Sequence, residues 1–202
     1  MTDPATLFHR LYDRTPIGVE EDVLERAEQR LGLLLPPPLR ALHLACGREA
    51  SVMSAHNRFL SPDALDLADG RLIFCEENQT VCVWGCVPGG EDPEAEIANV
   101  LPDGALEWHS EQVPLSELLA IMVYLQTAWG GFPHAADLHA IERALPTIEA
   151  EWDPVVRHNG LTIYEKPGLL IASLEGSGFL TAAARTPDGI ASLQRELGFS
   201  PM

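Results

Sequence analysis

Apolar residues recur along this chain with two periods, one near 3.6 and one near 2, and their alternation sets out the expected elements. Asp3-Pro4 is a capping side chain followed by a proline suited to the first helical position. Leu7, Phe8, Leu11 and Tyr12 then keep helical spacing until Pro16 and Gly18. A second helix is expected from Glu20 to Leu31, with Val23, Leu24, Ala27 and Leu31 on one face. Its other face carries Glu21, Asp22, Glu25, Glu28 and Arg30, and Gly32 follows in the usual C-terminal stop position. Leu33-Leu34-Leu35 leads into Pro36-Pro37-Pro38, a stiff turn before a third helix marked by Leu39, Leu42 and Cys46 and closed by Gly47. Two helices so closely joined are expected to form a packed pair. Ser61-Pro62 predicts a further short helix through Leu67, ended by Asp69-Gly70.

The centre of the chain changes period. Leu72–Cys75 and Val81–Trp84 are short apolar runs separated by Glu76-Glu77-Asn78-Gln79, the pattern of an antiparallel hairpin. Both runs are apolar at nearly every position, so both faces are expected to be covered. Strands are expected over Glu94–Val100 and Ala105–Val113, then a helix carrying Leu115, Leu118, Leu119, Met122 and Leu125 until Gly130-Gly131. Leu138, Ile141 and Leu145 suggest another helix, stopped or kinked at Pro146. The last fifty residues read as a β-meander, with Asn159-Gly160 as its strongest turn signal and Asp188–Leu197 as a closing helix. The expected fold is a single α+β domain over residues 1–202. It has a central mixed or antiparallel sheet flanked by helices, an N-terminal helical pair, and a meander (153–202) that extends the sheet.

Charge narrows the partners. Thirty Asp and Glu against thirteen Lys and Arg give a net charge of −17 over 202 residues. Such a surface repels phosphate backbones and favours a basic protein. Met1-Thr2-Asp3-Pro4 has neither the basic region nor the apolar core of a signal peptide, and no apolar run approaches ~18 residues, so a cytoplasmic protein without membrane contact is expected.

Candidate chemistry is sparse. Cys75, Cys82 and Cys86 cluster around the hairpin, but only Cys82-x₃-Cys86 approaches a zinc spacing, and an extended strand separates that pair by about 13 Å. Buried, reduced cysteines without metal or cofactor are expected, against the alternative of a small metal- or cysteine-dependent enzyme. The histidines, His56, His109, His134, His139 and His158 among them, show no metal-ligand spacing. There is no nucleophile elbow and no phosphate loop. Glu76, Glu77, Glu91, Asp92 and Glu94 lie in polar breaks between strands and are the expected acidic contacts for a basic partner. Trp84 and Trp108 are the expected apolar anchors, and all seven are expected on one rim if strand order brings them together.

Several segments resemble the SUKH superfamily. Val23-Leu24-Glu25-Arg26-Ala27-Glu28 through Leu31-Gly32, followed by Leu35-Pro36-Pro37-Pro38-Leu39-Arg40, is similar to that family's helix, Leu-Pro turn and second helix. Glu76-Glu77-Asn78-Gln79-Thr80-Val81-Cys82-Val83-Trp84-Gly85 and Thr181-Ala182-Ala183-Ala184-Arg185-Thr186-Pro187 resemble later segments of one branch. Where the family often has Asn-Gly-Gly after the second helix, this chain has Cys46-Gly47-Arg48. The resemblance implies a mixed sheet flanked by helices, no catalytic residues, and binding to a toxin domain such as a nuclease or deaminase, as an immunity protein does. A scaffold or regulatory interaction protein is the alternative within the same fold.

Overall fold

The computed structural model describes residues 3–139 and 141–202. Helices α1 (Pro4–Tyr12), α2 (Glu21–Leu31), α3 (Pro37–Cys46) and the short α4 (Ala50–Met53) come first. Strands β1 (Arg58–Phe59), β2 (Asp66–Ala68), β3 (Arg71–Glu76), β4 (Cys82–Cys86), β5 (Glu94–Val100) and β6 (Leu106–Pro114) follow. Then come α5 (Leu115–Gln126), β7 (His134–Leu138), α6 (Ile141–Glu151), β8 (Asp153–His158), β9 (Leu161–Lys166), β10 (Leu169–Leu174) and β11 (Leu180–Ala184). Helix α7 (Pro187–Leu197) and β12 (Ser200–Pro201) complete the chain. The class is α+β, with helices flanking antiparallel sheets.

The local signals work where side chain and backbone act within a few residues. The Asp3 carboxylate accepts the Thr6 N–H at 2.9 Å and caps α1, while Gly32 ends α2 at φ 70°. Strands β3 and β4 are antiparallel neighbours, Leu72 opposite Cys86 and Cys75 opposite Trp84. A bulge between Ile73 and Cys75 lets Phe74 and Cys75 both be buried, so consecutive apolar residues here reflect an extra residue in the strand.

The single extended sheet does not form. One sheet has the order β1-β3-β4-β5-β6, with β2 also on β3; the other runs β12-β7-β11-β10-β9-β8. The meander therefore builds a second sheet with β7 and β12. Helix α5 fits between the two sheets, because Leu115, Leu118, Leu119, Ile121, Met122, Val123 and Tyr124 are buried around most of its circumference, with Glu117 exposed. A helix apolar over most of its surface needs cover from more than one side. One core accordingly joins Leu7, Leu39, Leu72, Phe74 and Leu118 to Ile163, Leu170 and Ala183 of the second sheet. Helices α6 and α7 cover that sheet's other face around Ile148, Ile171, Leu193 and Phe199.

Two further expectations are corrected. Ser61–Leu67 is a tight turn followed by β2, whose Asp66 and Leu67 pair with Ile73 and Leu72; register against β3 outweighs the cap-and-proline signal. Leu138 ends a strand opposite Leu180, and α6 starts after it and continues past Pro146 to Glu151. Glu142 and Pro146 are exposed, so the carbonyl that the proline leaves without a donor is open to water.

Candidate functional site

A cleft of about 360 Å³ opens where the β6 edge of the first sheet faces the β8–β9 hairpin of the second. Its floor is one face of α5, presenting Leu118, Ile121, Met122 and Leu125. Trp84 and Ile97 line one wall, Leu161 and Leu174 the other, and Trp129 closes the end. Polar groups sit around this apolar floor: His56, Asn57, Glu77, Glu111, His158 and Asn159. Concave, mostly apolar sites with a few convergent polar groups are the usual form of a binding pocket.

Glu111 is the polar centre of the cleft. It follows Ser110 at an irregularity of β6, where Gln112 takes φ 59°, and it is 5% exposed. One carboxylate oxygen accepts the Trp84 indole N–H at 2.9 Å. The other accepts from His158 Nε2 at 2.8 Å and from the Asn159 amide at 2.7 Å. The hairpin reaches it because Asn159 and Gly160 both take positive φ, 44° and 79°, the two-residue turn that Asn-Gly favours. Three donors thus satisfy a nearly buried carboxylate, tie the two sheets together and fix the plane of one indole.

The opposite rim is held by α5. The buried Gln126 side chain accepts the His56 and Asn57 N–H groups at 2.8 and 2.7 Å and donates to the carbonyls of Val52 and Asn57 at 2.8 and 2.6 Å. The His56 ring then meets Trp129 edge-on, centroids 5.0 Å apart, and burial lowers its pKa against the opposing pull of Glu77. The chain leaves helical geometry at Trp129, which donates its indole N–H to the Thr181 hydroxyl at 2.9 Å. Glu77 accepts the Gln79 N–H at 2.7 Å and, among the described residues, forms no ion pair; its neighbour Glu76 is paired with Arg58.

The seven expected contact residues do not share one rim. Glu76 and Glu77 lie at the β3–β4 turn, whereas Glu91, Asp92 and Glu94 lie beyond the other end of β4, about 13 Å away by strand rise. Asp92 accepts the Ser116 N–H and hydroxyl at 2.9 and 2.5 Å, fixing the start of α5, and Glu94 accepts the Ser110 hydroxyl. Trp84 is paired with Ile97 and Trp108 with the next residue, Ala98, so the two indoles occupy opposite faces of the sheet. Trp108 lies over Gly85, where an added Cβ would come within 2.9 Å of its ring, and beneath the Arg71 guanidinium. Of the seven, Glu77 and Trp84 line the cleft.

The cysteines are free, with Cys46, Cys75 and Cys86 buried and Cys82 half-buried in the cleft wall. Burial, reinforced by Glu77 and Glu111, pushes the Cys82 thiol up to about 11, so it is a poor nucleophile near neutral pH. Burial pushes Cys86 up to about 12 and Cys75 well above its ordinary value. Among the described residues, no three His, Cys, Asp or Glu side chains converge as a metal-binding group, and no helix is long and apolar enough to cross a membrane. Sequence spacing missed Glu111, Trp129, His158 and Asn159 as members of one site, because they come from three separate segments. The Asn-Gly turn was the one local signal pointing there.

Fold and cleft together define an α+β chain with an apolar-floored cleft between two antiparallel sheets. No family model, curated protein or solved structure matches the chain.

Proposed function

We propose that this protein is a cytoplasmic binding module of the SUKH type, acting as an immunity protein that occludes a basic toxin domain. The observation that carries this reading is the cleft itself, apolar in its floor, indole-walled, and rimmed by a carboxylate without an ion pair among the described residues, on a chain of net charge −17. Aromatic anchors in a desolvated pocket supply affinity, and a surrounding acidic field raises the association rate for a basic partner. The high Cys82 pKa weighs against the cysteine-dependent enzyme. The test is neutralisation in cells: a basic nuclease or deaminase domain encoded beside this gene is expressed with and without the protein. Restored growth, with a stable complex on purification, is expected. Unchanged killing by every such neighbouring domain overturns the immunity reading.

A further inference from the structure

We propose that the cleft between the sheets is an arginine-binding pocket, taking one arginine of a basic polypeptide segment over the α5 floor with its guanidinium directed to Glu77. This names the ligand chemistry of the site and rests on the reading that the partner is a basic protein. Three features of the pocket select this occupant.

The first is shape and polarity. Leu118, Ile121, Met122 and Leu125 offer an apolar bed for a long aliphatic stem, and the cleft is open to solvent along one side. Arginine buries its methylenes on such surfaces while keeping its charged end at the rim. The second is aromatic. Trp84 is held in place by Glu111, and Trp129 by Thr181, so two indoles with restrained orientations line one cavity. Guanidinium groups stack on indole faces, and a ring whose N–H is already satisfied loses nothing when a cation covers its face.

The third is charge. Glu111 has its three donors and is nearly buried, leaving Glu77 as the rim carboxylate without a cation among the described residues. Elsewhere many carboxylates near the surface already face a base: Glu76 faces Arg58, Glu96 faces Arg71, Glu49 faces Arg14 and Glu21 faces Arg40. Cys82 adds a polarisable wall that burial keeps uncharged, so it does not rival Glu77 for the cation, and burial favours neutral His56, which leaves the carboxylate free of a competing imidazolium. A planar fork fits a carboxylate bidentately, which a lysine ammonium does not.

The probe is an acetylated, amidated hexapeptide with one central arginine flanked by leucine and glycine, titrated into ¹⁵N-labelled full-length protein. Its counterparts carry citrulline, the neutral near-isostere, or lysine at the same position. Four indole N–H signals report at once, because Trp84 and Trp129 line the cleft, Trp108 sits on the opposite sheet face and Trp152 lies in the second core. Saturable shifts at Trp84 and Trp129, with Trp108 and Trp152 unmoved, are expected for the arginine peptide. The citrulline peptide should bind at least tenfold more weakly, the lysine peptide several-fold more weakly. Glu77→Gln should abolish the preference for arginine over citrulline, while Glu91→Gln, beyond the other end of β4, should leave it intact. Shifts confined to Trp108, equal binding of arginine and citrulline peptides, or no saturation up to millimolar peptide each overturn the proposal. Because the titration needs no native partner, a negative result here leaves the immunity reading to the growth assay. A failed growth assay likewise leaves the pocket assignment to the titration.

Discussion

Gln126→Leu should lower the unfolding free energy by about 4 kcal/mol, the largest loss expected from a single near-isosteric change in this chain. Gln126 is 0% exposed and uses both ends of its amide, accepting two backbone N–H groups and donating to two carbonyls. Leucine fills a similar volume but returns none of the four bonds, and each buried group left unpaired costs about 1–3 kcal/mol. Relaxation and entry of water recover part of that sum. In a domain of this size the midpoint of thermal unfolding should fall by roughly 10 °C. Urea titration with an unchanged slope would show that the native state, and not the compactness of the unfolded chain, has altered. Gln126→Glu keeps the acceptors for His56 and Asn57 but turns a carboxylate toward the carbonyls of Val52 and Asn57, so it too should destabilise, and more so as rising pH ionises the new group. A loss under 1 kcal/mol for Gln126→Leu would mean that water substitutes for the amide, and the segment carrying His56 would then be only loosely held.

The second large effect is on pH dependence. His43, on α3, is 0% exposed, and among the described residues neither ring nitrogen has a hydrogen-bond partner. Burial lowers its pKa from 6.5 to about 4, so the imidazole is neutral in the fold and takes up a proton on unfolding whenever the pH is below 6.5. The sign follows from that difference. The unfolded state binds more protons between pH 6.5 and 4, so the stabilisation is complete above the upper value and is lost as pH falls toward the lower. Between pH 7 and pH 5 the loss amounts to about 2 kcal/mol. Stopping at pH 5 avoids the lower range in which Glu49, held down by Arg14, begins to titrate. His56, also lowered by burial, contributes with the same sign, so the wild-type slope is shared.

His43→Leu separates the two contributions. It removes two unpartnered polar atoms from the core and replaces them with apolar volume, which is neutral or stabilising at pH 7. Urea unfolding at pH 7 and pH 5 should therefore show equal or higher stability at neutral pH and a clearly smaller loss on acidification. If the variant keeps the full wild-type slope, His43 is not the group that senses pH, and the acid sensitivity belongs to His56 and the carboxylates.

Much of the local structure was legible in the amino-acid order. Asp3-Pro4 starts α1, Gly32 stops α2, and Asn159-Gly160 turns the β8–β9 hairpin, because each of these effects acts between a side chain and backbone a few residues away. The β3–β4 pairing was legible for the same reason: two apolar runs joined by a short polar break have few other partners. The apolar stripe of α5 marked one buried face, and the residues between its members, Ile121, Val123 and Tyr124, were the unread sign that the helix is covered on more than one side.

What only the tertiary structure decided is how those pieces face one another. Alternation of period 2 says that a strand has two faces and that neighbours in sequence pair, but nothing about which sheet receives a hairpin. Burying most of the surface of α5 required two layers, and the meander took the second. One residue of register sent Trp84 into the cleft and Trp108 to the opposite face, and the direction of β4 parted Glu77 from Glu91 and Asp92. Glu111, Trp129 and His158 carry no motif because their association is made by three-dimensional closure. A carboxylate from an edge strand, an indole from a helix end and an imidazole beside a hairpin turn meet only after the two sheets pack around α5. The order of residues fixes short-range geometry through the backbone. A site assembled across the gap between two sheets depends on packing that no spacing along the chain encodes.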